Sequence, residues 1–248
     1  MIEQFAVLPL ALLIGVVLGA LGSGGAILAM PVLIYGAQLP VIQAVGVSQF
    51  VVGIASLVGA ILQAQHGKIS WRQAFIFGVA GLPFTRLGAF VGGRLDHRTL
   101  LILFACVVLT AGCRVLTTAG DDGRMDRNVW AALGAGALVG LLTGLLGVGG
   151  GFLLVPALIA FGGLRAKHAT ATSLPVIAAN SLVGASQAYA VWLPVLPLAL
   201  GFLGATLIGT FAGLKLGGAA SELKLKYALG IVLLAVGGVV GVVNVWGR

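Results

Sequence analysis

Long apolar stretches separated by short polar breaks run through the chain from end to end. A helix needs roughly 17 to 25 apolar residues to cross a bilayer, and eight stretches of that kind are legible: Phe5–Leu21, Gln43–Gln63, Trp71–Gly93, Leu100–Leu116, Val129–Leu146, Ala169–Val191, Leu196–Leu216 and Leu223–Trp246. An outer-membrane barrel would instead show strands of about 10 residues with a polar position at every second place. Here the runs are continuously apolar, so the pattern predicts an all-α polytopic membrane protein. Met1–Gln4 carries Glu3 where a cleavable signal would be basic, so the first segment is expected to stay in the mature chain.

The pattern repeats. When residues 15–60 are laid over residues 140–185 without a gap, 19 of 46 positions are identical, including Gly15, Gly19, Gly22, Gly24, Gly25, Pro31, Ser48 and Ser56–Ala60. Apolar composition alone produces chance Leu and Val matches, but it does not align glycines and prolines in order. Beyond this core the match is looser, with Gly88–Leu95 resembling Gly209–Leu216. Residues 1–119 are therefore one transmembrane repeat, 120–128 a hydrophilic linker, and 129–248 the second repeat.

Each repeat opens with an apolar helix that runs into a glycine cluster, Gly22-Ser23-Gly24-Gly25 in the first and Gly147-Val148-Gly149-Gly150-Gly151 in the second. Adjacent glycines cost about 1 kcal/mol each in a helix interior, so the helix should break there. Broken backbone survives at membrane depth only when protein or a watery cavity covers it. Two readings stay open: the glycines permit close helix packing, as Gly15-x-x-x-Gly19 and Gly140-x-x-x-Gly144 do, or each break frees the N–H groups of a following half-helix to hold an anion. Neither cluster completes a dinucleotide fingerprint or a P-loop. Paired breaks at matching places in two repeats point to a transporter's midplane site.

The composition agrees, with 60% hydrophobic and 8% charged residues against about 25% charged in soluble domains. The net charge of +8 comes from basic residues scattered over short loops rather than gathered into a nucleic-acid patch. Their placement bears on the threading. If each glycine break is the tip of a hairpin that returns to its starting side, the repeats are inverted. Lys68, Arg72, Arg114, Arg124, Arg127, Arg165, Lys167, Lys215, Lys224 and Lys226 then share one face, and only Arg94, Arg98 and Arg248 lie opposite. That is the bias of a cytoplasmic face. With four crossings per half the split is even, so the charges favour inversion.

The six acidic residues lie in termini or loops, whereas a cation carrier or proton relay needs carboxylates inside the membrane. Arg86 is the one charge deep in a segment and is a candidate anion contact. Gln49, Ser56 and Gln63 recur every seven residues along one face, as do Ser173, Asn180 and Gln187. Such residues either stitch helices together or line a pathway. His168, beside Arg165 and Lys167, reads as a loop-end residue. Cys106 and Cys113 sit two turns apart, too far for a disulfide, and read as small packing residues.

The Gly-x-Gly-Gly clusters followed by Pro31 and Pro156, with Ala44 to Ser48 and Ala169-Thr-Ala-Thr-Ser173, resemble the signature of the TauE/SafE sulfite exporters, also called toluene sulfonate uptake permeases. The resemblance covers nearly the whole chain. It departs at Ser23 and Ala26, which face Val148 and Gly151, so the two half-sites need not be equivalent. It implies a secondary transporter, not an enzyme, that moves sulfite, sulfonates or related anions across the bacterial cytoplasmic membrane, export being favoured. A channel is the alternative. The substrate-contacting set would be Gly22, Ser23, Gly24, Gly25, Gly147, Gly149, Gly150, Gly151, Arg86, Ser48, Gln49, Thr172, Ser173 and Asn180. The expected partners are a small anion and the lipid bilayer, without nucleic acid, metal or cofactor, and compatible with a homo-oligomer.

Overall fold

The computed structural model describes residues 7–22, 24–117, 129–146 and 151–246. Its helices are α1 (Leu8–Leu21), α2 (Gly24–Pro31), α3 (Val41–Gln65), α4 (Trp71–Gly92), α5 (His97–Thr117), α6 (Val129–Leu146), α7 (Gly151–Ala160), α8 (Ala166–Gln187), α9 (Tyr189–Trp192), α10 (Leu196–Ala219) and α11 (Glu222–Trp246), with no strand among the described residues. The eight expected segments are α1, α3, α4, α5, α6, α8, α10 and α11. Phe5, the N-terminal Met1–Gln4 and the linker 120–128 lie outside the described residues. The largest shift is in the sixth segment, where α8 starts at Ala166 and stops at Gln187, before the short α9 turn.

Among the described residues four helices are long and apolar enough to cross a membrane: Val41–Gln65, Trp71–Gly92, Tyr189–Ala219 and Leu223–Val242. Their outer faces carry exposed Phe75, Phe90, Ile208, Ile231 and Val242, while Ser48, Gln49, Ser56, Thr85, Thr206 and Thr210 are buried. Apolar outside and polar inside is the arrangement lipid selects. Cys106 and Cys113, expected as packing residues, are both exposed on α5 and not joined in a disulfide. Their shared face points outward instead of into the core.

The first break makes a hairpin. With 14 residues, α1 is about 21 Å long, short of the roughly 30 Å of hydrocarbon. Gly22 then turns the chain with φ +72°, a conformation L side chains avoid. A methyl group at Gly25 would strike the Ile14 carbonyl and the Leu18 amide, and one at Gly36 would meet the Val7 side chain at 2.8 Å. Thus α2 and the π-helical turn Val32–Gly36 that prolongs it past Pro31 run back along α1 from tip to base.

Glycine contacts also fix the direction of each packed pair. Gly15 and Gly19 abut Thr206 and Thr210, so α1 runs parallel to α10; Gly140 and Gly144 abut Gly81 and Thr85, so α6 runs parallel to α4. In contrast Gly53 meets Leu182 and Gly59 meets Leu174, which makes α3 and α8 antiparallel. Gly112 meets Leu233 and Gly237 meets Leu109, which makes α5 and α11 antiparallel. The close approach that glycine permits lets van der Waals packing hold such pairs where lipid supplies no hydrophobic drive.

These contacts correct the looser part of the repeat. Gly88 reaches the Leu141 carbonyl and the Leu145 amide, and the glycine that meets Val16 and Ala20 in the same way is Gly213, not Gly209. Gly144 lies against Thr85 and Ala89 as Gly19 lies against Thr210 and Leu214. These pairs keep the 125-residue offset of the glycine clusters, as do the starts of α3 and α8, α4 and α10, and α5 and α11. The offset is therefore constant past residue 60, where side-chain identity thins out.

Lys167 Nζ donates to the Gly218 carbonyl at 3.5 Å, and His168 Nδ1 donates to the Lys68 carbonyl at 3.0 Å. The start of α8, the end of α10 and the α3–α4 loop therefore share one end of the molecule. Followed along the helices, Lys68, Arg72, Arg165, Lys167, Lys215, Lys224 and Lys226 gather there, and Arg94 and Arg98 lie at the other end.

Candidate functional site

The antiparallel pair α3 and α8 forms the centre, and the polar residues on it are buried. Ser48, Gln49 and Ser56 on α3 and Thr170, Thr172, Ser173, Asn180 and Ser181 on α8 are all nearly or fully excluded from solvent. A buried hydroxyl must find a partner, and two use the same local solution: Ser48 Oγ donates to the Val45 carbonyl at 3.0 Å and Ser173 Oγ to the Thr170 carbonyl at 2.8 Å. Thr172 Oγ1 accepts the Ser70 N–H at 3.0 Å, which leaves its own O–H to donate. The Gln49 side chain fills the space that Gly184 leaves on α8.

The hairpin tip reaches this layer. A Cβ at Gly22 would meet the Thr170 carbonyl at 2.6 Å and its methyl group at 2.7 Å. The break therefore packs on Thr170 in the first turns of α8, just before Thr172 and Ser173 in the chain. Four N–H groups at a helix start have no partner within the helix, and α2 starts here at Gly24. Gly25 itself is fixed by α1, so its lack of a side chain is a packing requirement whatever its amide binds. Ser23, Gly147, Gly149 and Gly150 lie outside the described residues; Gly151 begins α7.

Two side-chain atoms stand out among the described residues: Ser56 Oγ and Asn180 Oδ1 are buried without a hydrogen-bond partner. Leaving such a group unpaired costs about 1–3 kcal/mol. Asn180 sits against α4, where a Cβ on Gly81 would lie 3.4 Å from its Nδ2. At the equivalent place in the first repeat the chain has Ala55, so the two halves of the centre differ in polarity.

Arg86 is not brought to this centre. It is exposed on the outer face of α4, among exposed Phe84, Leu87 and Phe90, while Thr85 and Gly88 take the inner face. The polar stripes behave as their spacing suggests only in part: Gln49, Ser56, Ser173 and Asn180 are inside, but Gln187 surfaces at the end of α8. Sequence reasoning passed over Thr170. It lies inside the Ala169–Ser173 motif, but nothing along the chain announces its contact with Gly22.

The buried polar residues among those described are uncharged throughout, all Ser, Thr, Asn or Gln. Such a lining donates hydrogen bonds and presents no carboxylate to repel an anion.

Comparison with known proteins agrees in kind. The family model described as Sulfite exporter TauE/SafE matches residues 7–240. A probable membrane transporter protein of Xylella fastidiosa is 30% identical over 236 residues, covering 90% of this chain and 89% of the relative. One of Methanocaldococcus jannaschii is 30% identical over 194 residues, covering 73% and 72%. A third, from Haemophilus influenzae, is 27% identical and covers 94% and 98%. No solved structure matches the chain.

Proposed function

The chain belongs to the sulfite exporter TauE/SafE family and is a membrane transporter, and we propose that its cargo is a small oxyanion, sulfite or a short sulfonate, carried across the cytoplasmic membrane. The observation that carries this reading is the Gly22 hairpin tip seated on Thr170 within a buried, wholly uncharged polar layer. The free amides at the start of α2 and the hydroxyl of Thr172 supply donors for an anion's oxygens. Gln49, Ser48 and Asn180 complete the lining, with the second glycine cluster as the matching half-site.

Two inverted repeats, 1–119 and 129–248, supply the motion. The antiparallel α3–α8 and α5–α11 pairs and the constant 125-residue offset support inversion. Each hairpin-side helix packs on the other repeat, α1 on α10 and α6 on α4. Rocking one such unit against the other around α3 and α8 exposes the centre to one face and then the other.

Flux into vesicles tests the reading over a panel of sulfite, methanesulfonate, sulfate and acetate. Saturable uptake of sulfite or methanesulfonate, with counterflow against a trapped pool, is expected. Uptake that never saturates and shows no counterflow means a channel, and a preference for acetate means that the cargo class is wrong.

A further inference from the structure

At the basic end of the molecule a cleft of about 470 Å³ opens between the α3–α4 loop and the α7–α8 loop, lined by Gly67, Ile69, Ser70, Gly163, Leu164, Arg165 and His168. Two of its lining residues carry cationic or cation-forming side chains, and both Arg165 and His168 are exposed. The hydrogen bond from His168 Nδ1 to the Lys68 carbonyl ties the two loops together across the cleft. Gly67 contributes open space, since a Cβ there would meet nothing within 4 Å. The floor is continuous with the buried centre: Ser70 lines the cleft and donates its N–H to Thr172, and Thr170, one residue pair earlier, carries the hairpin tip.

The other end differs at the matching position among the described residues. The position 125 residues after Gly67 is Trp192, which is buried, stacks on Phe50 at 4.5 Å and donates its indole N–H to the Ala185 carbonyl at 3.0 Å. An indole thus fills at one end the place that glycine leaves empty at the other.

We propose that the cleft is a capture site for small oxyanions, in which the Arg165 guanidinium, joined by the Nε2–H of the imidazolium form of His168, holds an anion arriving from the basic face before it reaches the polar centre. Arg is suited to this because its planar fork matches a sulfonate or sulfite edge with two parallel hydrogen bonds. Gly67 leaves room for the ligand beside the backbone. The proposal rests on the reading of the protein as an anion transporter, since it supplies that pathway with its entrance.

The test uses Ser70→Cys in a background of Cys106→Ala and Cys113→Ala, purified into phosphatidylcholine nanodiscs so that both faces are open. Anionic sulfonatoethyl methanethiosulfonate should modify this cysteine roughly ten times faster than the cationic trimethylammonioethyl reagent, the scale of one charge-assisted contact. Methanesulfonate should slow the reaction, and gluconate at equal ionic strength should not. Arg165→Gln with His168→Gln should abolish both effects, and Arg165→Lys should restore part of the charge preference. Leu164→Cys serves as a second reporter if Ser70→Cys melts early. Equal rates for the two reagents with no protection overturn the proposal. So does protection that appears only when phosphatidylglycerol is added to the discs, which makes the cleft a lipid headgroup site. Flux measured on the same variants keeps the two readings apart: protection without any anion transport removes the proposed function and leaves the cleft, while transport without protection does the reverse.

Discussion

Single residues already separate packing from chemistry. Glycines look alike in a sequence, but their neighbours differ: a methyl group at Gly15 would strike the Thr206 carbonyl and one at Gly144 the Thr85 carbonyl, whereas Gly78 and Gly204 have nothing within 4 Å. Gly15→Ala and Gly144→Ala should therefore each lose about 1–3 kcal/mol through overpacking, read as a lower melting temperature in detergent. Gly78→Ala and Gly204→Ala should leave melting unchanged or raise it by up to about 1 kcal/mol, because helix propensity improves with no clash. Equal destabilisation in all four would contradict the packing described here. Ser56 poses a different question, since its Oγ is buried and unpaired. Ser56→Ala should melt no lower than wild type, because it removes a desolvated hydroxyl worth about 1–3 kcal/mol. If that hydroxyl serves the anion, the stabilisation by methanesulfonate should shrink; a full ligand shift means that Ser56 lies off the pathway. The sequence singled out Ser56 by its seven-residue spacing, but that it has no partner is a property of its surroundings.

Elements decide which face a residue presents. Arg86 drew notice as a charge deep in an apolar segment, and the sequence could not say which side of α4 it occupies. Gly81, Thr85 and Gly88 form the face that packs on α6, so Arg86, one residue from Thr85, points outward with Phe90 and Leu87. On a lipid-facing surface a long cationic side chain can reach the headgroups with its stem on apolar surface. Arg86→Gln should accordingly leave the apparent affinity for sulfite or methanesulfonate within about twofold, against the roughly tenfold or greater loss expected on removing a charge-assisted contact. A tenfold loss would restore Arg86 to the binding site. The hairpin is another element-level fact. Glycine clustering told where α1 stops, and the return of α2 along it follows from the contacts of Gly25 and Gly36 with α1 and Val7.

For the whole molecule, the order of helix directions becomes an experiment on sidedness. In a chain lacking Cys106 and Cys113, Gln38→Cys after the first hairpin and Phe161→Cys after α7 should react with impermeant reagents from opposite faces, with Phe161→Cys on the cytoplasmic, lysine-rich side. Reaction of both from one face would rule out inverted repeats. The sequence by itself determined the membrane, the helical class and the family, because apolar length, glycine and proline spacing and charge placement are properties written along the chain. Even the bias of basic residues was legible, since loops follow from where apolar runs end. Tertiary structure alone decided which glycines abut a neighbouring backbone, that Thr170 receives the Gly22 tip, that Arg86 faces outward, and that one end opens at Gly67 while Trp192 fills the other. Those facts depend on partners far off along the chain, and helical periodicity sets a residue's face relative to its own helix but carries no information on which distant helix will lie against it.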